Sequence, residues 1–547
     1  MKNKIFILVL LISFLIVIEN LFFVNFIERT IYLFDDKGLA KAGFYLFVTL
    51  LGYLAISMTF FIKNRVFFAI VFSIEIIAYL VFKLYKDING YGFGLTELTV
   101  AYAELGQFSA DVWSTYGSYL VYNLMIFLPV ILLVYFFRKK VIHKYRYYFS
   151  LSSLLLVLVL AFSSSYFIVH RTINETSTSP IPVKVVNTIA YFVENRPYYG
   201  DRKDVVLVPT KESKYKNIIW IVDESIAANY LSINGYTQKD TTPYLASIGK
   251  NYLNLGFASS AGNCSAMSNI MLMSGAQLAD LPDSQFNTLK KANIFQYAKK
   301  AGFKTHYVSG QSRDDKLQNY MTKFDLDDID NFFQPTGEFS SDVIPEKNVI
   351  EKTHEFLNFS DKNFMYIVKR GAHFHWEGTY PDEHKIFKPT LTSTESLLLE
   401  NRDRAINSYT NSVVYNVDIF FKEFFKRTKL LNRKDTLIIY TSDHGQSILE
   451  SAEKSSTHCD STNPPPSQGL VPLLIFKNRD DKLFQDSSFT VDSYSHYQIF
   501  PTTLSLMGYE NIENTFFSKN RNEQKFCSGD IFGRSSLMKT KIIVPSK

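Results

Sequence analysis

"TLIIYTSDHGQS" (residues 436–447) starts as a short β-rich apolar run and passes straight into an acid, an imidazole and a glycine. A continuous apolar run of this kind, rather than an alternating one, marks a strand buried on both faces, as in a parallel sheet. The same grammar recurs in "NIIWIVDES" (217–225), which closes on Asp223, Glu224 and Ser225. It recurs again in "FMYIVKRGAHFHW" (364–376), where His373 and His375 follow the run, and in "FKTHYVS" (303–309). Helical stretches such as "NIFQYAKKAG" (293–302) and "NRDRAINSYTNSVVYNVDIFFKEFFKRT" (401–428) lie between them. Strand and helix in alternation predict a doubly wound α/β domain with a mostly parallel sheet over residues 216–547.

Open sheets of this type bind ligands beyond the carboxyl ends of their strands. Glu224, Asp443, His444 and His373 are therefore expected at one edge, although far apart in sequence. A further loop, "STHCDSTNPPPSQG" (456–469), brings His458 shortly before the apolar run "LVPLLIF" (470–476). A strand-end acid often just caps a helix, and a lone histidine more often makes a structural hydrogen bond than binds a ligand. Several core strands ending this way point instead to a metal centre, whose oxygen and nitrogen donors suit Zn²⁺ or Mn²⁺.

The first third of the chain reads differently. Apolar runs at 5–27, 42–62, 66–85, 118–137 and 149–169 are each long enough to cross a bilayer, which takes roughly 20 residues. They predict an α-helical membrane domain of five spans over 1–170. A connector over 171–215 follows, in which "VVNTIAYFVEN" (185–195) has the pattern of an interfacial helix. The first run is too long for a cleaved signal and lacks a small-residue cleavage site, so it reads as a retained anchor. Lys2, Lys4, Lys63, Arg65 and "RKKVIHKYRYY" (138–148) fall in alternate loops, while the other loops are acidic. The positive loops face the cytoplasm. An odd number of spans then gives a multi-pass protein of the cytoplasmic (inner) membrane with residues beyond about 170 outside, in the periplasm. The net charge of +6 is modest, and one basic loop gives nucleic-acid binding no support.

There are three cysteines, Cys264, Cys459 and Cys527. An extracytoplasmic domain permits disulfides. Cys459 with Cys527 is one pairing, leaving Cys264 as the odd thiol; the sequence alone leaves the pairing open. Cys264 sits in "ASSAGNCSAMSNIMLMSG" (258–275), where Gly262-Asn263 favours a turn and a helix can begin at Ser265. A thiol at a helix N-terminus feels the positive end of the dipole, which lowers its pKa.

Several segments resemble the phosphoethanolamine transferases that modify lipid A. "IVDESIAANYLSINGY" (221–236) is similar to their opening, where a Glu after the first strand binds zinc, and "TSDHGQS" (441–447) to their Ser-Asp-His-Gly-Glu-Ser segment, with Gln446 in place of the acid. "AINSYTNSVVYNVDIFF" (405–421) and "YSHYQIFPTTLSLMGY" (494–509) resemble their Tyr-Asn-Ser helix and closing Ser-His segment. The wider group is the alkaline phosphatase and sulfatase superfamily, which includes the lipoteichoic acid synthases. The resemblance implies that Glu224, Asp443 and His444 hold a first metal with the nucleophile, and that His373 and His458 face the substrate phosphate or a second metal. One or two zinc ions, or manganese, would serve. Asn263, Asn411 and His496 are further candidates for substrate contact, set against plainly structural roles.

The nucleophile is where this chain departs from its relatives. They carry a threonine after Cys-Gly, whereas here Ala261-Gly262-Asn263-Cys264-Ser265 places Asn263 at that position, and an amide cannot attack. Sliding by one places Cys264 there, in a register that resembles the sulfatase Cys-x-Pro/Ala-x-Arg signature but with Ser268 for the arginine. Three readings follow: Cys264 attacks, as a metal-bound thiolate or after oxidation; Ser265 attacks as an alkoxide; or Cys264 only packs and the chain is catalytically reduced. The first is favoured, because a thiolate binds zinc well and is a good nucleophile near neutral pH. The implied reaction moves phosphoethanolamine from a membrane phospholipid to lipid A or another surface glycan through a covalent intermediate. The rivals are a phosphoglycerol transferase, a membrane-anchored sulfatase or phosphatase, and a degenerate glycan-binding scaffold.

Overall fold

The computed structural model describes residues 200–545 apart from 312–316, 336–342, 393–394, 396, 451–456, 462, 485–488, 519–523 and 533–536. Nearer the N-terminus it describes 9–17, 39–60, 64–89, 120–129 and a few isolated positions. The chain divides into two compact units that change over between Arg196 and Pro197.

In the N-terminal unit, helices α1 (Leu39–Thr59) and α2 (Arg65–Asn89) are the long elements. Among the described residues one helix, Arg65–Leu84, is long and apolar enough to cross a membrane. Shorter apolar helices cover Tyr45–Leu54 and Leu120–Pro129. The five spans expected from the sequence are thus not established: the run at 149–169 and the connector helix at 185–195 lie outside the described residues. Two carboxylates are buried in this unit. Glu19 accepts hydrogen bonds from the Tyr53 and Tyr79 hydroxyls and from the Ile181 amide, and Glu75 accepts one from Thr59. Such bonds offset the cost of removing a polar group from water.

The C-terminal unit is built on an eight-stranded sheet. Its strands are β1 (Asn217–Asp223), β2 (Tyr252–Ser259), β3 (Lys304–Ser309), β4 (Asn331–Phe333), β5 (Asn363–Val368), β6 (Thr436–Ser442), β7 (Leu470–Phe476) and β8 (Tyr494–Ser495). They lie in the order β4-β3-β5-β1-β6-β7-β2-β8. All run parallel except β7, which is antiparallel to both β6 and β2. The mostly parallel sheet therefore stands, with one reversal.

Every residue of β1 is buried, as its unbroken apolar run requires. Successive side chains take opposite faces. Ile218, Trp220 and Val222 join a core with α3 (Ser265–Ser274), α4 (Ile294–Lys300) and α8 (Ile499–Leu506). Ile219 and Ile221 join the other, with α5 (Val343–Leu357), α6 (Arg402–Val413) and α7 (Phe420–Thr428). Burial of each such side chain is worth about 1.5–3 kcal/mol. Two packed faces hold β1, β5 and β6 rigidly, and their carboxyl ends are where the candidate residues emerge.

Candidate active site

β1 runs out at Asp223, and the next residue, Glu224, is fully buried. One oxygen, Oε1, accepts a hydrogen bond from the Ser225 hydroxyl at 2.7 Å and lies 3.2 Å from Nε2 of His444. The other, Oε2, accepts from the Ser265 hydroxyl at 3.0 Å and from Nε2 of Gln311 at 2.7 Å. Below it, Asp223 is paired with the buried Lys369 ammonium at 2.6 Å and accepts a bond from the Tyr440 hydroxyl. The chain passes close here. A Cβ on Gly371, whose φ is +54°, would stand 2.3 Å from Asp223 Oδ1, so the position needs glycine.

β6 delivers Asp443 and His444. Asp443 Oδ1 accepts from the Ser225 and His444 amides at 3.2 and 2.7 Å, whereas its buried Oδ2 has no partner among the described residues. His444 Nδ1 donates to the Gly445 carbonyl at 2.8 Å, which turns Nε2 toward Glu224 and Ser265.

Ser265 is the first residue of α3, with Cys264 as its N-cap. Its hydroxyl lies 3.3 Å from His444 Nε2 as well as 3.0 Å from Glu224. The preceding loop is tied at nearly every donor: Ala261 N–H to His496 Nδ1, Gly262 N–H to Ser268, Asn263 N–H to the Cys527 carbonyl. The free amides of the helix N-terminus add a positive field at the hydroxyl.

The structure corrects the reading of the cysteines. Cys264 is bonded to Cys459, not left as the odd thiol, and Cys527 is the free, buried one. A disulfide sulfur is neither a thiolate nucleophile nor a metal ligand, so Cys264 fills neither role. Ser265 occupies the position next to Glu224 and His444 instead.

The disulfide also draws in the loop that carries His458. The Cys459 amide donates to the Asn263 carbonyl at 2.8 Å, and the Asn263 amide nitrogen donates to the Asp460 carbonyl and to Gln468. The His458 ring stacks on His444 with centroids 4.4 Å apart, and His373 stands 6.4 Å from His458. Both histidines are half-buried.

Other candidates turn away from it. Asn411 accepts from the Ile386 and Phe387 amides and donates to the Phe387 carbonyl, so it braces a loop. His496 is buried between the Ala261 amide and the Thr441 hydroxyl. Burial drives its pKa down to about 3, so it is a neutral strut. Asn263 ties the loop before Ser265 to the returning one. Gln311 is the residue the sequence reading missed; it follows β3 as Glu224 follows β1, and that position was the available signal.

Electrostatically the group is crowded. Burial and the charge of Glu224 push Asp443 well above the usual carboxylate range. Burial opposes charge on Glu224 too, but bonding to His444 and the nearby His373 and His458 outweigh it and hold its carboxyl low. His444 rises to about 9, because Asp443 and Glu224 overcome the effect of its burial. Burial and the charge on His444 hold His458 well below the ordinary imidazole value. Ligand atoms of Glu224, Asp443 and His444 all lie within 4.8 Å of one another. The Glu224 carboxylate, the orphaned Oδ2 of Asp443 and Nε2 of His444 fit a divalent cation.

Comparison with known proteins places this geometry in context. A family model described as sulfatase matches residues 216–509. The Kdo(2)-lipid A phosphoethanolamine 7''-transferase of Salmonella typhimurium is 25% identical over 346 residues, which cover 60% of this chain and 58% of that protein. Among solved structures, the integral membrane lipooligosaccharide phosphoethanolamine transferase A (EptA) from Neisseria meningitidis superposes with a TM-score of 0.57 at 20% identity. That match covers 89% of this chain and 93% of the other. The zinc complex of the periplasmic domain of EcEptC from Escherichia coli gives 0.51 at 18% identity, covering 62% and 96%. At these identities the structural matches speak for the fold.

Proposed function

The chain belongs to the sulfatase family, and from that premise we propose that it transfers phosphoethanolamine from a membrane phospholipid to lipid A or another surface glycan. The donor is phosphatidylethanolamine. The observation that carries the reading is the Ser265 hydroxyl held by both Glu224 and His444 inside the acid–imidazole group. The names of the relatives, phosphoethanolamine transferases acting on lipid A, support the choice of group and acceptor.

Ser265 is the nucleophile. Its oxygen attacks the donor phosphorus while its proton passes to Glu224 Oε2, which the hydroxyl already meets at 3.0 Å. The oxygen–phosphorus bond forms, the bond to diacylglycerol breaks, and the departing alkoxide takes a proton. His458 and His373 face the phosphoryl oxygens; His373 supplies that proton, since burial and the charge on His444 keep His458 neutral. An acceptor hydroxyl or phosphate then attacks the serine ester and regenerates the hydroxyl. Glu224, Asp443 and His444 would hold a zinc ion, which when bound neutralises phosphoryl charge and favours the serine alkoxide. Multiple membrane spans, with the C-terminal domain on the periplasmic side, would keep the site beside its lipid substrates.

The test is mass spectrometry of surface glycolipids from cells with and without the protein, with Ser265→Ala as control. A phosphoethanolamine increment that needs both the protein and Ser265 is expected. Release of free phosphate or sulfate, with glycolipid masses unchanged, would replace the transferase reading with a hydrolase.

A further inference from the structure

The C-terminal unit also holds a separate cavity of about 320 Å³ whose walls include Asn229, Tyr230, Tyr236, Phe257, Arg402 and Ile406. That volume falls within the range of small-molecule sites. None of these residues takes part in the chemistry described above.

The walls hang on the loops that carry the catalytic group. The Tyr230 ring meets Tyr409 edge-on, with centroids 5.1 Å apart. The Tyr409 hydroxyl donates to the Ser225 carbonyl and accepts from the Ala227 amide, in the segment that follows Glu224. On the other side, Arg402 Nε donates at 2.9 Å to the carbonyl of Ile448, four residues beyond His444.

Some polar groups on these walls are engaged, Tyr236 with Gln238 and Asn234 with the Ala228 carbonyl, while others are open to a ligand. With Nε engaged, the two terminal guanidinium nitrogens of Arg402 have no partner among the described residues. The amide oxygen of Asn229 is buried without a bond. The acid whose charge reaches both Arg402 and Tyr230 is Glu450, and its carboxylate is held by the Ser467 hydroxyl. Tyr236 lies 5.3 Å from Tyr230 at 57°, so the two rings offer angled aromatic surfaces. A guanidinium fork recognises phosphate oxygens, a phenol and an amide recognise ring hydroxyls, and aromatic faces cover the C–H side of a pyranose.

We propose that this cavity binds a phosphorylated sugar of the acceptor glycolipid, on a subsite distinct from the one that handles the donor. The proposal rests on the transferase reading for its role but not for its chemistry, since binding is measured without turnover. Calorimetric titration of the full-length protein in detergent uses glucosamine 1-phosphate as probe and glucosamine as the uncharged comparison. The phosphorylated sugar is expected to bind and the other to bind at least roughly tenfold more weakly, because hydrogen bonds to a charged group are worth about 1.5–3 kcal/mol. Arg402→Ala should weaken sugar-phosphate binding by roughly tenfold and raise the acceptor KM in parallel, while the donor KM moves far less. Asn229→Leu removes an amide whose oxygen has no partner, so it should fold as well as the parent and still bind less tightly. Equal binding of the two sugars, or wild-type affinity in both variants, overturns the proposal. A protein that binds the sugar phosphate yet transfers nothing refutes the transferase reading and leaves the cavity's ligand class standing.

Discussion

The assignment of attack to Ser265 rather than Cys264 can be tested by separating what each does. The Cys264–Cys459 bond closes a segment of 195 residues. In the chain-entropy treatment, a loop of that length restrains the unfolded chain by roughly 5 kcal/mol, an upper value, with about 2–4 kcal/mol typical. Cys264→Ala/Cys459→Ala should therefore lower the melting temperature by roughly 10 °C, as should a reductant added to the parent. The double variant keeps Ser265, Glu224 and His444, so below its melting point it should still form a covalent phosphoethanolamine adduct. Ser265→Ala removes one hydroxyl and should melt within about 1 kcal/mol of the parent. Its diacylglycerol release should fall by at least about a thousandfold. The assay pairs thermal melts in detergent with labelled phosphatidylethanolamine and intact-protein mass spectrometry. An adduct that survives Ser265→Ala but vanishes with the cysteines, at an unchanged melting temperature, would refute the reasoning.

Chelation by EDTA should abolish diacylglycerol release, and zinc or manganese should restore it. Glu224→Gln or Asp443→Asn should lower bound metal, measured by elemental analysis, by an order of magnitude or more. His458→Ala should raise the donor KM while metal content stays near the parent value, since His458 stacks on His444 without belonging to the ligand trio. Lys369→Met strands the buried Asp223 carboxylate and should cost about 3–5 kcal/mol in chemical denaturation. Burial already pushes Asp223 up to about 6, against the opposing charge of Lys369, so the loss should be smaller at low pH, where the acid is neutral. A loss independent of pH would contradict that account.

Much of the site could be read from strand ends. Glu224, Asp443 and His444 each follow an unbroken apolar run, and a run buried on both faces must emerge at the sheet edge. The same logic reached His373, and it would have reached Gln311 had the residue after Ser309-Gly310 been weighed. What stayed illegible depends on partners distant in sequence. Nothing in the spacing says that Cys264 meets Cys459 and not Cys527, because the loops that carry them converge only once β6, β7 and β2 are paired. Ser265 was legible as a hydroxyl at a helix start, but not as the one beside Glu224. His496 and Asn411 look like ligands in sequence because imidazole and amide groups serve backbone and substrate equally well. Only the bonds to Ala261 and to Phe387 show which use they have.

The single reversed strand has an evolutionary corollary. Since β7 returns along β6, the stretch from Asp443 to Leu470 leaves the sheet and re-enters it at the same rim, and no helix has to cross a face to close it. Near its roots it is pinned where the Gly445 amide donates to the Gln468 carbonyl at 2.9 Å, and farther out by the cystine. Apart from His458, length and composition between those pins can drift without disturbing strand order, so substrate preference can change in this excursion while the scaffold beneath stays untouched. Grafting the corresponding excursion from a relative, cysteine partner included, is the natural route to retargeting the enzyme.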